Sequence, residues 1–541
     1  MEFLRNEEYC TTMTDAEKEE PLAITYPVDT VLRSGEVQTD HVPCYGAFSW
    51  GKQDDRKAFY ESAFPQIKKP PLIVGLGVTE AGLSQAETTV MKDLFQLFEA
   101  MEERFYNGEW ALEKTSKICV IDMDNVPNNG RVLQKHMATL TTSSPKAQRM
   151  QAFFDRHVSF HDTMVDRITS QREGSDGMIP RCEPVPAKAL VILDQHQALP
   201  KAFLNVHSNE KPSSYGVVIR TKPEQLQADI NLKLRVANGT HTAIAHLLAL
   251  TGHTMTDYLS SSDEDANLFR RYLDQLFEHQ ILKAGVLSDS DSHSYLVEPN
   301  SPETRAVYQD WRDRLTHPHF GLSSFFITQN GAAKGGIRLG PTVRDLVKAA
   351  PGEEDITCPV TLSTAFAFSV LLRWLTPTNS GDSVFSGKLD LPIESPNKKA
   401  KTDAKDKEVE YADKLRYDLE RSWYEFRCSC LVDDSGTKRN LSEWLGSLAS
   451  ASASSSGASF LAPVKAYLVA PDGGNLSDIV TSPSFDTFVQ TVAWLYARSE
   501  KSSLALLRMI DINGKGFATA CSSIDRLENL FNGSQTAAFD E

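Results

Sequence analysis

Two short apolar runs constrain the fold of this chain more than any other feature of its sequence. Residues 72–78 and 117–121 have the length and composition of buried strands. A stripe of apolar residues at helical spacing follows the first run, over residues 90–105. Similar apolar runs recur at residues 189–193 and 216–219. Strands that alternate with helices favour a parallel sheet, so the N-terminal part of the chain is predicted to be α/β.

Long helical patterns replace the strands after about residue 222, which predicts a mostly α-helical second part. The length of 541 residues is roughly three to four times that of a typical domain and agrees with two domains. We place the first domain at residues 22–222 and the second at 223–541. Three other segments have compositions typical of flexible chain: a leader at 1–21, a loop insertion at 376–411 and a Ser-rich segment at 447–459.

Charge and cysteine usage argue against several classes of function. The chain has 56 basic and 72 acidic residues and a net charge of −16, which disfavours nucleic acid or an anionic membrane as a partner. Its eight cysteines include no Cys-x-x-Cys pair, so we expect neither a disulfide framework nor a metal site. We find no signal-peptide pattern and no apolar run of membrane-spanning length, and therefore expect a cytoplasmic protein. A Lys-rich run at 397–403 is interpreted as a charged loop, with a nuclear-import signal as the alternative.

The most informative segment, residues 232–246, carries three polar residues on one side of a predicted helix. At about 100° per residue, Lys233, Asn238 and His241 fall within an arc of roughly 140°. An amine, an amide and an imidazole suit alcohol–ketone chemistry, because a base takes the hydroxyl proton while a donor stabilises charge on oxygen. The alternative interpretation is an exposed lysine, a capping asparagine and a hydrogen-bonded core histidine. Gly239 within this helix indicates close approach by another segment.

A second polar cluster follows the apolar run at 117–121. Asp124 and Asn125 lie just beyond its C-terminal end. Ligands collect at the carboxyl ends of strands in α/β sheets, so these two residues are candidates for ligand contact. A local Asx turn is the alternative.

Five short blocks of sequence match one enzyme family in their order and spacing. A Lys-x5-Asn-x2-His pattern appears as KLRVANGTHTA from Lys233 onward. The other blocks are VTEAG at 78–82, DNVPNNG at 124–130, MVDRIT at 164–169 and NGAAK at 330–334. Together they resemble the long-chain polyol-specific dehydrogenases, the family of mannitol 2-dehydrogenase and the fructuronate and tagaturonate reductases.

The resemblance implies an N-terminal Rossmann-like domain that binds NAD or NADP and a helical domain that supplies catalysis. The implied reaction interconverts a polyol or sugar acid with its keto form, by hydride transfer without a metal. Lys233 would be the general acid/base, Asn238 an oxyanion-stabilising donor and His241 a substrate-orienting group. A lysine with an ordinary pKa near ~10.4 suits this role only if burial or a cationic neighbour lowers that pKa.

The resemblance also implies further site residues and a small-molecule partner. The implied cofactor-binding residues are Thr79, Glu80, Asp124 and Asn125. The implied substrate-binding residues are Asp162, Arg167 and Lys334. The alternatives are an interdomain ion pair of Asp166 with Arg167 and a helix-surface lysine at Lys334. The family favours a monomer.

Three features depart from the family pattern. The Gly-rich phosphate-binding loop on a first strand is missing, which indicates loss of the first βαβ unit. The run from Gly75 to Gly82 is a candidate replacement for that loop, with an ordinary later strand as the alternative. Asp162 replaces an oxyanion-hole amide and opposes negative charge there unless it is protonated or paired. Phe326 stands where mannitol-type enzymes often have Arg. The alternative function is therefore a non-catalytic or altered-function relative with weakened cofactor binding.

Overall fold

A computed structural model describes most of the chain. The described residues are 24–44, 51–78, 80–113, 116–124, 126–171, 179–200, 216–288, 294–328, 331–350, 357–375, 457–471, 473–499, 502–511 and 516–532. The predicted leader at 1–21 and the loop insertion at 376–411 lie outside them, as does most of the Ser-rich segment at 447–459.

Short strands alternate with helices in the first part of the chain, and helices dominate the second. The strands are β1 (Ile24–Val31), β2 (Val37–Cys44), β3 (Ile73–Leu76), β4 (Ile118–Asp122), β5 (Val158–His161), β6 (Thr163–Val165), β7 (Thr169–Gln171), β8 (Pro180–Cys182), β9 (Leu190–Leu193), β10 (Val217–Arg220), β11 (Val286–Leu287) and β12 (Tyr295–Val297). The α-helices are α1 (Gln53–Ala58), α2 (Glu80–Leu83), α3 (Thr89–Tyr106), α4 (Asn129–Ser143), α5 (Ala147–His157), α6 (Pro223–Leu232), α7 (Thr240–Leu250), α8 (Glu264–Leu276), α9 (Leu282–Ala284), α10 (Pro302–Leu315), α11 (Ser324–Thr328), α12 (Gly331–Lys334), α13 (Gly340–Ala349), α14 (Leu362–Leu375), α15 (Leu461–Val469), α16 (Pro483–Arg498), α17 (Ser503–Ile510) and α18 (Ile524–Asn532).

The chain divides into two compact units, residues 1–230 and 231–541. The division falls within α6, C-terminal to the boundary predicted at residue 222. The predicted fold class, a Rossmann-like N-terminal part followed by a mostly helical part, is confirmed. No helix among the described residues combines the length and apolar character needed to cross a bilayer.

A three-stranded parallel sheet forms the centre of the first unit, with the strand order β3-β4-β5. All five residues of β4 are buried, which explains its continuous apolar sequence. Helix α3 places Met91, Leu94, Phe98 and Met101 in a core shared with β4, α4 and α5. The helical stripe that the sequence predicted at 90–105 is therefore the face of α3 that packs in this core.

Two further sheets complete the first unit. The antiparallel hairpin of β1 and β2 continues through β8 to β7, and the order β10-β9-β6 forms the third sheet. Among the described residues, no strand–helix–strand unit precedes β3, and residues 24–44 form the hairpin instead. The sequence predicted β3, β4, β9 and β10 from their apolar runs, but it did not predict this hairpin.

Helix α14 lies at the centre of the second unit. All 14 of its residues are buried. It packs against α7 and α16, which are themselves largely buried. Helices with apolar residues on every side are expected only in the interior of a large helical unit.

Candidate functional site

A buried carboxylate stands at the carboxyl end of the central parallel strand. Asp122, the last residue of β4, is fully buried, and its Oδ1 accepts a hydrogen bond from the amide of Val78 at 3.2 Å. Its Oδ2 is buried and has no hydrogen-bond partner among the described residues. Burial raises the pKa of Asp122. The carboxyl end of the sheet thus presents an unsatisfied acceptor.

The turn between β3 and α2 carries the Gly-x-Gly sequence that the analysis singled out. Gly77 is exposed, and a Cβ added to it would meet no atom within 4 Å. Thr79 lies outside the described residues, and Glu80 begins α2, which has only four residues. The Val78 amide is already occupied by Asp122. The turn thus leaves space for close approach at Gly77, but the neighbouring Val78 amide is not available to a ligand.

The block at 124–130 holds the start of α4 against the end of β5. Asn129 is fully buried, and its side chain hydrogen-bonds to the carbonyls of Asp122 and Asp124 and to the hydroxyl and amide of Thr163. A Cβ on Gly130 would stand 2.4 Å from the carbonyl carbon of His161. The predicted cofactor contact Asp124 forms part of this junction through its carbonyl, and Asn125 lies outside the described residues.

Asp162 is paired with a cation in its own unit. Its Oδ1 accepts from the Arg131 amide at 3.0 Å in the first turn of α4, and its Oδ2 lies 3.1 Å from Arg131 Nε. A carboxylate suits this place because it satisfies an unpaired amide at a helix N-terminus. The pairing with Arg131 meets one of the two conditions, protonation or pairing, under which a carboxylate at this position does not oppose an oxyanion. Substrate binding by Asp162 stays a prediction.

The side chain of Arg167 also forms a hydrogen bond within the first unit. Its Nη2 donates to the carbonyl of Glu183 at 3.3 Å, and the Glu183 carboxylate accepts from the amide of Ile168 at 2.7 Å. These bonds connect the loop after β6 to the end of β8. The predicted substrate contact by Arg167 is not tested by them.

A cleft of about 370 Å³ runs along β5, and sequence reasoning did not find it. Its walls include Arg131, His161, Asp162 and Asp194. His161 Nδ1 donates to the Leu193 carbonyl at 2.9 Å. The cleft exists because β5 pairs on one side only with β4 among the described strands, and no local pattern signals an unpaired edge.

The helix with the proposed catalytic residues contains a π-helical segment. Residues Lys233–Gly239 form π-helix between α6 and α7. Hydrogen bonding from i to i+5 brings residues five positions apart closer to one face than an α-helix does, so Asn238 follows Lys233 by about one turn. Lys233 is only 8% exposed and Asn238 is half-buried. The alternative of an exposed lysine is wrong.

His241 begins the next turn and is held among aromatic and polar neighbours. It is 7% exposed, and its ring centroid lies 5.1 Å from that of Trp311. Trp311 Nε1 donates to Thr240 Oγ1 at 2.9 Å, which fixes the indole beside this turn. The Nε2 atom of His241 is buried without a hydrogen-bond partner among the described residues. The alternative of a fully hydrogen-bonded core histidine does not fit this atom.

A second histidine, His246, has the same property. Its Nδ1 donates to the Thr242 carbonyl at 2.7 Å, and its buried Nε2 has no partner within the described part of the chain. Burial, together with the positive charges of Arg338 and Lys334, lowers the pKa of both His241 and His246 to about 3. Both imidazoles are therefore neutral at physiological pH.

A second π-helical segment, Gly335–Leu339, packs against the first. A Cβ on Gly239 would stand 3.0 Å from the carbonyl oxygen of Arg338, which confirms the close approach that this glycine indicated. Arg338 Nη1 donates to Thr242 Oγ1 at 3.0 Å. Lys334, the predicted substrate contact that precedes this segment, donates its Nζ to the Ile327 carbonyl at 2.5 Å.

The described residues contain no group of three His, Cys, Asp or Glu side chains arranged to hold a metal ion. The exposed Phe326 lies in α11, next to Ile327.

The second unit assembles Lys233, Asn238 and His241 on consecutive helical turns and places Arg338 beside them.

Comparison with known proteins agrees with this architecture. Residues 40–194 match the family model described as the mannitol dehydrogenase Rossmann domain. Two mannitol dehydrogenases of Saccharomyces cerevisiae are each 24% identical over 263 residues, which are 44% of this chain and 47% of each relative. The match therefore spans about half the length of these curated relatives.

Two solved structures share the fold. Mannitol 2-dehydrogenase of Pseudomonas fluorescens, in a ternary complex with NAD and D-mannitol, has a TM-score of 0.51 and 16% identity, and the match covers 92% of this chain and 86% of that chain. A substrate-free D-sorbitol dehydrogenase has a TM-score of 0.54 and 14% identity, with 92% and 87% covered. At these identities the likeness concerns the fold alone.

Fold and sequence together define a protein with a Rossmann unit and a helical unit that carries the Lys-x5-Asn-x2-His pattern. The match of residues 40–194 to the mannitol dehydrogenase Rossmann domain and the similarity to the two yeast mannitol dehydrogenases support the resemblance that the sequence blocks predicted.

Proposed function

We propose that this protein is an NAD(P)-dependent oxidoreductase that interconverts a polyol or sugar acid with its keto form. The observation that carries the proposal is the burial of the Lys233 side chain on a π-helical turn whose neighbouring turns present Asn238 and His241. A buried amine that is kept away from bulk water can exchange a proton directly with the hydroxyl of an enclosed substrate. π-Helical turns of this kind occur frequently at functional sites.

The described residues of the first unit fit a nicotinamide coenzyme in two respects. The open space above Gly77 allows close approach to the turn between β3 and α2, and the unpaired Oδ2 of Asp122 offers an acceptor at the adjacent strand end. Ligands of open α/β sheets bind outside the carboxyl ends of the strands. A nicotinamide coenzyme bound there would supply the hydride acceptor or donor.

The roles of the helical residues follow from their chemistry. In the oxidation direction, the Lys233 amine accepts the proton of the substrate hydroxyl, and the carbinol hydrogen leaves as hydride. The Asn238 amide donates a hydrogen bond to the same oxygen as negative charge develops on it. Neutral His241 keeps one ring nitrogen available to a substrate hydroxyl, because its Nε2 is unpaired.

Substitution of Lys233 tests the proposal. Lys233→Ala should lower kcat by about 10²- to 10⁴-fold, which is the usual contribution of a positioned general base. The assay is a panel of hexitols, pentitols and hexonates with NAD and with NADP. Exposed Lys283 lies in the same unit, and Lys283→Ala is the matched control, with unchanged turnover expected. Turnover that survives Lys233→Ala would remove the assigned role.

A specific observation favours a second candidate, a relative with weakened cofactor binding. In the described residues the first strand of the central parallel sheet is β3, and the glycine turn that follows it has its Val78 amide occupied by Asp122. Titration with NADH and NADPH, followed by energy transfer from tryptophan, separates the two candidates. An absence of binding at millimolar coenzyme would favour the non-catalytic relative.

A further inference from the structure

One basic side chain of the helical unit has a hydrogen-bond partner but no counter-charge among the described residues. Arg338 is half-buried, and Nη1 of its guanidinium donates to Thr242 Oγ1 at 3.0 Å. Among the described residues the guanidinium makes this one hydrogen bond, and no carboxylate lies within ion-pair distance of it. Burial lowers the pKa of Arg338 to about 10, and no acidic neighbour opposes that effect.

Other buried guanidinium groups in the same unit are satisfied. Arg235 contacts the carboxylate of Asp345 at 2.6 Å and donates to the Gly285 carbonyl. Arg373 donates to Tyr496 and Ser499 and lies over the Tyr496 ring. Arg338 differs from them because, among the described residues, its half-buried guanidinium has one hydrogen bond and no carboxylate, which leaves its other N–H donors for a ligand.

The position of Arg338 connects it to the proposed catalytic turn. Its carbonyl lies against Gly239, and its guanidinium is bonded to Thr242, the residue after His241. Of the neighbouring positive charges that lower the pKa of His241, the charge of Arg338 has the largest effect, followed by those of Lys334 and Arg314. This neighbourhood is positively charged, and its two histidines are neutral.

We propose that Arg338 binds an oxyanion of the substrate, so that the substrate is a sugar acid and not a neutral polyol. The inference rests on the proposed function, because it concerns the same site. A guanidinium has five N–H donors in a planar fork that matches a carboxylate in a bidentate manner, and Thr242 occupies one of them. A sugar phosphate shares the oxyanion chemistry, and the experiment distinguishes the two sources.

The test compares three compounds of the same carbon skeleton: D-mannonate, D-mannitol and D-mannitol 1-phosphate. Isothermal titration of the full chain with saturating NADH measures binding, and steady-state assays with NAD and NADP measure KM and kcat. The wild-type protein should bind D-mannonate at least tenfold more tightly than D-mannitol. A similar preference for the phosphate alone would assign the anion to a phosphoryl group and overturn the sugar-acid substrate.

The variant Arg338→Gln should weaken D-mannonate binding by about 10- to 100-fold, the range expected for a charged hydrogen bond, and leave D-mannitol binding within about twofold. Arg338→Lys should restore part of the loss because it retains the charge. The matched control is Arg344→Gln, since Arg344 is paired with Asp478 at 2.9 Å and should not affect either ligand.

The outcomes for the two proposals are separable. Equal binding of D-mannonate and D-mannitol by the wild type would overturn the role of Arg338, whether or not the variants fold. Turnover of D-mannonate that is unchanged in Arg338→Gln would do the same while the proposed function stands. Arg338-dependent binding of D-mannonate without turnover by either coenzyme would reject the dehydrogenase and keep the anion site.

Discussion

At the residue scale, the burial of His241 determines its protonation state. Burial and the neighbouring charges of Arg338, Lys334 and Arg314 hold its pKa at about 3. The imidazole therefore stays neutral through the pH range in which an enzyme of this kind is assayed. We predict that kcat/KM between pH 5.5 and 8.5 shows no ionisation attributable to His241. A group near pH 6.5 that disappears from the profile in His241→Gln would contradict this prediction.

Sequence alone placed Lys233, Asn238 and His241 together, but it did not find Arg338 or His246. The first three share one helix, so periodicity relates them to each other. The contact between Arg338 and Thr242 joins residues 96 positions apart, and His246 Nε2 is enclosed partly by Gly331. Such features depend on how distant helices pack, and no local pattern encodes them.

At the scale of elements, the helix at 232–250 was predicted, but its π-helical turn was not. With 3.6 residues per turn, Lys233, Asn238 and His241 were predicted to span a wide arc of the helix surface. The i to i+5 hydrogen bonding of Lys233–Gly239 narrows the angle between Lys233 and Asn238. The hairpin of β1 and β2 was missed for a different reason. Its strands contain prolines and exposed residues such as Val37 and Val42, and its parallel partner β8 is far away in sequence.

The junction between α4 and β5 gives a prediction at this scale. A methyl group on Gly130 would overlap three backbone atoms, the C and O of His161 and the N of Asp162, at 2.4 to 2.6 Å. Backbone cannot move away as a flexible side chain can, so Gly130→Ala should destabilise the protein by about 3 kcal/mol or more. The measurement is the midpoint of urea unfolding. Gly51→Ala is the control, because a Cβ there meets nothing within 4 Å.

At the scale of the whole molecule, the order of elements along the chain was the most predictable property. Four strands of the first unit and the long helices of the second follow from continuous apolar runs and from helical spacing. The division between the units falls within α6, where the helical pattern continues without a break in composition. A boundary inside a continuous helix leaves no loop signature in the sequence, which explains why it was predicted at residue 222 instead.

The two buried histidines also give the whole protein a pH-dependent stability. The unfolded chain has histidine pKa values near ~6.5, whereas His241 and His246 have folded values of about 3. Between these values the unfolded state binds more protons, so stability is complete above pH 6.5 and decreases as the pH falls toward 3. At pH 5 each histidine should cost about 2 kcal/mol relative to pH 7. Urea unfolding at pH 7 and pH 5 measures the difference in the free energy of unfolding, and His246→Leu should reduce that difference by about 2 kcal/mol. Equal pH dependence in the wild type and this variant would show that His246 is protonated in the folded protein.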